Sequence, residues 1–273
     1  MGSVMEGNEV GSRFISAVAL YGPKTRALRD FLGEVHALIT EHVGDDFRPY
    51  SLDQIHATLV ALNGVPDPET GAIVNEYYLT HVGVGLEMDL PRVMDTLARH
   101  FADPLRVRIG GFLPGQEIPF TSRGQHPFVR AFSVQGNAFV LVGWAAASLA
   151  GKGRPLDELR RDMNAANVLH RYHRHDADVD DDFYLVVGHH HRGAPAAALG
   201  RAVDAVRDKL ASDPIDLDIG LADIKIVAAD FPTLAPPLLV SDVPADEAVV
   251  RRLLPSAPPG EPEEETSAVR PDH

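Results

Sequence analysis

The sequence predicts an α+β protein that is built from two similar halves with a cleft between them. Two short segments 110 positions apart share one pattern, since 102–110 reads ADPLRVRIG and 212–220 reads SDPIDLDIG. Each segment follows a stretch with apolar residues at helical spacing and begins an alternating, strand-like run. An apolar strand precedes each of these helices, so we expect those two strands to be structurally equivalent.

Predicted strands and helices alternate along most of the chain. Residues 14–21 alternate weakly and indicate a strand, and 24–42 carries apolar residues at helical spacing after Gly22-Pro23, which favours a helix start. The remaining predicted elements, in order, are strand 55–62, an insertion 67–85, helix 90–101, strand 105–112, a Gly- and Pro-rich loop 114–125, a hairpin of 128–134 and 139–144, helix 155–168, a polar connector 170–182, strand 183–188, helix 195–210 and one long or bent strand 215–229.

The 273 residues suffice for one large domain or two packed lobes. We predict a flexible leader over 1–12, a single two-lobed domain over 13–234, and a Pro- and acid-rich, largely disordered tail over 235–273. The sequence lacks cysteine, which excludes disulfides and thiolate metal sites. No secretory signal or membrane span is predicted, so we expect a cytoplasmic protein. The formal charge of −14 argues against binding to bulk nucleic acid.

His56 and Thr58 form the pattern with the clearest chemistry. They lie two residues apart on a predicted strand, so their side chains share one face. An imidazole can move a proton near neutral pH, and a hydroxyl can donate a hydrogen bond to a phosphate oxygen. The pair therefore suits a phosphodiester site.

The segment 55–59 (IHATL) in this two-part α+β arrangement, together with 221–234, resembles the two-histidine (2H) phosphoesterase superfamily. That group includes RNA 2′,3′-cyclic phosphodiesterases and 2′-5′ RNA ligase-like proteins. The resemblance implies antiparallel sheets around a central cleft and a His-x-Thr/Ser strand in each lobe. One histidine would act as general base and the other as general acid, while the hydroxyls hold the phosphate. The implied partner is a small nucleotide or an RNA-end phosphodiester, and we expect no cofactor and no metal ion.

The second strand departs from this family pattern. Tyr184 stands where the second histidine belongs, and Val186 stands where the hydroxyl belongs. A tyrosine with a pKa near ~10 can donate a proton, whereas valine cannot bind phosphate through its side chain. We therefore predict one site from these residues: His56, Thr58 and Tyr184 as catalytic, Thr58, Arg130 and Arg171 as phosphate-binding, and His170 and His173 as supporting.

Two alternatives stay open at this stage. A catalytically silent module would bind a nucleotide or a partner without turnover. A metal-dependent hydrolase would use the histidines of 170–175 and 189–191, where His-x-His pairs can chelate. Opposite charges also stand at equivalent places of the two repeats, Arg106 and Arg108 against Asp216 and Asp218, and we favour solvent faces over pairing. The oligomeric state is not predicted.

Overall fold

The computed structural model describes residues 14–67, 69–229, 234 and 239–243. The predicted leader 1–12, the segment 230–233 and most of the predicted tail lie outside the described residues. Helices and antiparallel strand pairs alternate along the described chain, so the predicted α+β class is confirmed. No helix of the described part is both long and apolar enough to cross a membrane.

The secondary structure follows the predicted order closely. The strands are β1 (Phe14–Ala19), β2 (Phe47–Pro49), β3 (Ala57–Ala61), β4 (Gly64–Pro66), β5 (Ile73–Asn75), β6 (Leu105–Ile109), β7 (Phe132–Gln135), β8 (Ala138–Ala145), β9 (Phe183–His190), β10 (Ile215–Ile219), β11 (Ile224–Ala229) and β12 (Leu239–Asp242). The helices are α1 (Arg26–Val43), α2 (Glu76–Val82), α3 (Leu90–His100), α4 (Pro127–Arg130), α5 (Ala146–Leu149), α6 (Pro155–Asp162) and α7 (Ala196–Ser212). The predicted insertion 67–85 contains β5 and α2, and β5 pairs with β4, which directly precedes the insertion.

One main sheet organises the described chain in the order β10-β6-β8-β9-β3-β1-β11-β12, with β2 beside β9 and β7 beside β8. Helix α1 packs on α7, and α3 packs on α6. Apolar residues three and four positions apart place one face of α1 in the core, as Leu28, Leu32, Val35 and Ile39 show. The centre of the sheet is the junction of β9 and β3, which pair at Ala57 and Leu185.

The two copies of the sequence repeat lie side by side, because β6 and β10 are neighbouring antiparallel strands. Both copies therefore lie on the same side of the sheet centre. Their charges pair, contrary to our preference for independent solvent faces: Arg106 Nε lies 3.1 Å from Asp218 Oδ1 and Arg108 Nη2 lies 2.8 Å from Asp216 Oδ2. The antiparallel register explains this, since it places each arginine directly opposite an aspartate.

The predicted single strand over 215–229 is in fact two strands at opposite ends of the sheet. A short turn at 220–223 separates β10 from β11, and the Gly220 amide donates a hydrogen bond to Asp223 Oδ2 at 2.9 Å. The apolar residues shift from odd to even positions between Leu221 and Ile224, a change of phase that the single-strand prediction overlooked. The predicted tail also begins too early, because Leu239–Asp242 forms β12 on the free edge of β11.

Candidate functional site

A cavity of about 280 Å³ lies at the junction of β3 and β9 and brings the main predicted site residues together. Its lining includes His56, Thr58, Tyr184, His170 and Arg171. A larger cavity of about 720 Å³ lies beside the segment 180–182. Its lining includes five carboxylates and two arginines, whereas the lining of the smaller cavity includes two carboxylates and three arginines. The acidic wall of the larger cavity is a poor environment for a phosphate, so the smaller cavity is the better candidate site despite its size.

The pairing of Ala57 with Leu185 sets the local symmetry of the site. In an antiparallel pair, a local two-fold axis passes between directly opposed residues. This axis relates His56 to Tyr184, because each precedes the paired residue, and Thr58 to Val186, because each follows it. The sheet thus reproduces the correspondence that we predicted from the sequence.

His56 lies one residue before β3 and is half-buried. Its Nδ1 is 2.7 Å from the carbonyl oxygen of Gln54. A carbonyl only accepts, so Nδ1 carries the proton and Nε2 keeps its lone pair. Burial lowers the pKa of His56; the Gln54 hydrogen bond opposes this shift, and the nearby Lys24 ammonium adds to it. The imidazole is therefore neutral at pH 7 until an anion lies beside it.

The half-buried Thr58 follows two residues later and lines the same cavity, as predicted. Tyr184 also lines the cavity, but its hydroxyl donates a hydrogen bond to Gln135 Oε1 at 3.2 Å. Burial raises the pKa of Tyr184, with a further contribution from Tyr172. The Tyr184 proton is consequently held tightly and directed at Gln135. Val186 is not among the described residues that line the cavity.

A stack of two arginines on one tyrosine forms the exposed side of the cavity. The Arg123 guanidinium lies 4.2 Å and the Arg171 guanidinium 4.8 Å from the centre of the Tyr172 ring. All three side chains line the cavity. Arg123 adopts a left-handed backbone conformation, with φ of +49°, in the turn before Gly124. The stack presents two cations to whatever enters the cavity.

Arg160 occupies the gap where β3 and β9 separate, a position that sequence reasoning missed. Its guanidinium donates to the carbonyl oxygens of Leu59 at 3.0 Å and Thr58 at 3.3 Å. On the other side it donates to the carbonyl oxygens of Asp180 at 2.7 Å and Asp182 at 3.1 Å. Arg160 is only 2% exposed. It therefore replaces the missing ladder hydrogen bonds between the two central strands.

The acidic end of the connector, 180–182, is buried rather than solvated. Asp182 accepts hydrogen bonds from Ser122 Oγ at 2.7 Å, Trp144 Nε1 at 3.0 Å and Arg130 Nη2 at 2.9 Å. This bond corrects our prediction for Arg130: its guanidinium is buried against Asp182 and is not among the described groups that line the cavity. In the sequence, the arginines near this segment are the one sign that the carboxylates of 180–182 could be neutralised and buried.

His170 and His173 each donate a hydrogen bond to a carboxylate, but the two histidines lie in different places relative to the cavity. His170 donates Nε2–H to Asp180 Oδ2 at 2.8 Å, and His173 donates Nε2–H to Asp157 Oδ1 at 2.9 Å. Each Nδ1 is buried and has no hydrogen-bond partner in the described structure. His170 lines the cavity, whereas His173 is not among its described lining residues, which corrects the supporting role that we predicted for His173.

The histidines of 170–175 and 189–191 do not converge on one point. His189, for example, packs against the ring of Tyr50, with ring centres 5.1 Å apart. Within the described part of the chain, no group of three or more His, Cys, Asp or Glu side chains is placed to hold a metal ion.

Comparison of the chain with protein-family models and with curated proteins gave no match.

Proposed function

We propose that this protein is a phosphodiesterase-like enzyme that acts on a nucleotide or RNA-end phosphodiester, 2′,3′-cyclic or 2′-5′, by metal-independent acid/base catalysis. The observation that carries the proposal is the convergence of His56, Thr58 and the Arg123–Tyr172–Arg171 stack on one cavity. The local two-fold axis that relates His56 to Tyr184 supports the resemblance to 2H phosphoesterases.

Each group has a chemical task in this proposal. The Thr58 hydroxyl donates to a non-bridging phosphate oxygen, and the arginines stabilise the charge that develops on the phosphorane. His56 carries a proton to or from a bridging oxygen through Nε2, since Nδ1 is held by Gln54.

A panel of 2′,3′-cyclic nucleotides, 2′-5′ and 3′-5′ dinucleotides and cyclic-phosphate RNA ends tests the proposal. We expect turnover by the wild type that persists in chelator and falls by about 10²-fold or more in His56→Ala. His100→Ala is the matched control, because His100 pairs with Asp162 outside the cavity. Equal turnover by His56→Ala and the wild type would refute the assignment.

A second candidate, a catalytically silent nucleotide- or partner-binding module, draws support from two observations. The Tyr184 hydroxyl is committed to Gln135, and Val186 offers no hydrogen bond at the place that corresponds to Thr58. This candidate predicts that a cyclic nucleotide raises the melting temperature of the protein while no substrate of the panel is turned over.

A further inference from the structure

The cavity contains a buried imidazole nitrogen that nothing in the described structure satisfies. His170 is 5% exposed, lines the cavity, and donates Nε2–H to Asp180. Its Nδ1 therefore carries a lone pair, and no donor of the described structure reaches it. Leaving a buried acceptor without a donor costs about 1–3 kcal/mol, so such atoms are rare unless a ligand or water uses them.

Asp180 holds His170 in one orientation and one tautomer. The Asp180 amide in turn donates to Asp157 Oδ1 at 2.8 Å, and its side chain lies 3.6 Å from both Arg160 and Arg123. The carboxylate is thus charged and fixed from several sides. A carboxylate that binds one nitrogen of an imidazole and leaves the other nitrogen unpartnered, on a residue that lines a cavity, is the arrangement of an oriented general base.

We propose that His170, oriented by Asp180, is the second acid/base group of the site, and that its Nδ1 takes the proton from the water that attacks phosphorus. This inference rests on the proposed function. His170 takes the second acid/base role in place of Tyr184, whose hydroxyl is hydrogen-bonded to Gln135. The second group then comes from the connector before β9 and not from the strand itself.

The proposed step is balanced in protons and bonds. Water loses one proton to His170 Nδ1 while its oxygen forms a bond to phosphorus, and the bond from phosphorus to the leaving ribose oxygen breaks. That oxygen takes a proton from Nε2 of His56, which takes up this proton from solvent when the phosphodiester anion binds beside it. The step ends with a neutral His56 and a charged His170, and exchange with solvent restores both.

The surroundings of His170 and His56 favour different roles, that of the base for His170 and that of the acid for His56. Around His170, burial and the Arg160 cation favour the neutral imidazole, and His173 adds to this, whereas Asp180 opposes it. Burial and the Lys24 ammonium also favour the neutral form of His56, but His56 contacts the phosphate directly in this proposal, and that anion favours its charged form. Groups whose environments separate their protonation in this way commonly divide the acid and base roles.

Tyr172 controls access to His170. Its ring packs edge-to-face on the His170 ring with centres 5.6 Å apart, and 40% of Tyr172 is exposed. The other ring against His170 belongs to the buried His173, at 5.1 Å. Nδ1 is buried in this structure, so the proposal requires the Tyr172 ring to move when Arg123 and Arg171 bind the phosphate.

The chain offers a closely matched pair of variants for the test. Glutamine keeps an N–H donor for the carboxylate and removes the basic nitrogen, so His170→Gln preserves the bond to Asp180. His173→Gln is the control, because His173 is equally buried, has the same kind of carboxylate bond and the same unpartnered Nδ1, but lies outside the cavity lining. We expect His170→Gln to lower kcat by about 10²–10⁴-fold and to remove the acidic limb of the pH–rate profile, and His173→Gln to change neither.

A measurement on the wild type covers the case in which His170→Gln does not fold. In ¹⁵N spectra of histidine-labelled protein, addition of adenosine 2′- or 3′-monophosphate should shift the Nδ1 signal of His170 toward its hydrogen-bonded position and leave that of His173 in place. No shift at His170 with the nucleotide bound would overturn the proposal.

The outcomes separate this inference from the function on which it rests. Turnover that is lost in His56→Ala but normal in kcat and pH profile in His170→Gln overturns the role of His170 and leaves the proposed function standing. The absence of turnover by the wild type on every substrate overturns both.

Discussion

Acidification should destabilise the folded protein through His170, and the size of the effect follows from where this side chain lies. Burial, reinforced by Arg160, lowers the pKa of His170 to about 4 from its ordinary 6.5, although the hydrogen bond to Asp180 opposes the shift. Between these values the unfolded chain binds a proton at this imidazole and the folded chain does not. Stability is therefore complete above pH 6.5 and is lost as the pH falls toward 4.

The expected magnitude is about 1.4 kcal/mol for each pH unit inside that window. Between pH 7.5 and pH 5, the free energy of unfolding of the wild type should fall by about 2 kcal/mol on account of His170 alone. His36, His56 and His173 also have lowered pKa values and contribute in the same direction. They are present in His170→Gln as well, so the difference between the two proteins isolates His170.

Urea unfolding, followed by circular dichroism at pH 7.5 and pH 5, measures this difference. The wild type should lose about 2 kcal/mol more than His170→Gln on acidification, which corresponds to a midpoint shift of about 0.7 M urea at a slope of about 3 kcal/mol/M. If both proteins lose the same stability, His170 is not held neutral by burial and the reasoning fails.

Two further substitutions test the packing around the site. Arg160→Met leaves four carbonyl oxygens without their donor, so we expect the free energy of unfolding in urea to fall by about 3–5 kcal/mol. Arg154→Met is the control, because Arg154 is exposed and its substitution should cost little. Similar losses in the two variants would contradict the role of Arg160. Gly110 has φ of +86°, and an added Cβ would lie 2.4 Å from the carbonyl oxygen of Leu210, so Gly110→Ala should cost about 2 kcal/mol or more. Gly220, at the same place of the repeat, has ordinary space and φ of −97°, so equal melting temperatures of Gly110→Ala and Gly220→Ala would refute this argument.

Local patterns carried the prediction of most elements, because helix and strand periodicity depends on neighbouring residues alone. Helix α1 was predicted over 24–42 and spans Arg26–Val43, and the strand predicted over 183–188 begins at the predicted residue. The place of each strand in the sheet was less accessible. The run 215–229 changes its apolar phase near Asp223, but that change alone does not show that its two halves pair on opposite sides of the sheet. Pairing partners lie in distant segments of the chain.

The candidate site was only partly predictable for a related reason. His56, Thr58 and Arg171 were identified from their residue types and spacing, and the cavity brings them together. Arg160 could not be identified, because its partners Thr58 and Leu59 lie about a hundred residues away and an arginine on a helix usually indicates a solvent-facing position. The burial of Asp180 depends on Arg160 in the same way, so the connector looked solvated in the sequence.

The vacant half of the motif provides the sharpest test of how the two halves divide the chemistry. Tyr184→His combined with Val186→Thr would restore a second His-x-Thr at the positions that the local axis relates to His56 and Thr58. If the second acid/base position were empty, this double variant should raise kcat by about 10²-fold or more. We expect a gain of less than about tenfold, because His170 already supplies that group and the substitution removes the bond between Tyr184 and Gln135. A large gain, together with a loss of sensitivity to His170→Gln in the restored background, would show that the position was vacant.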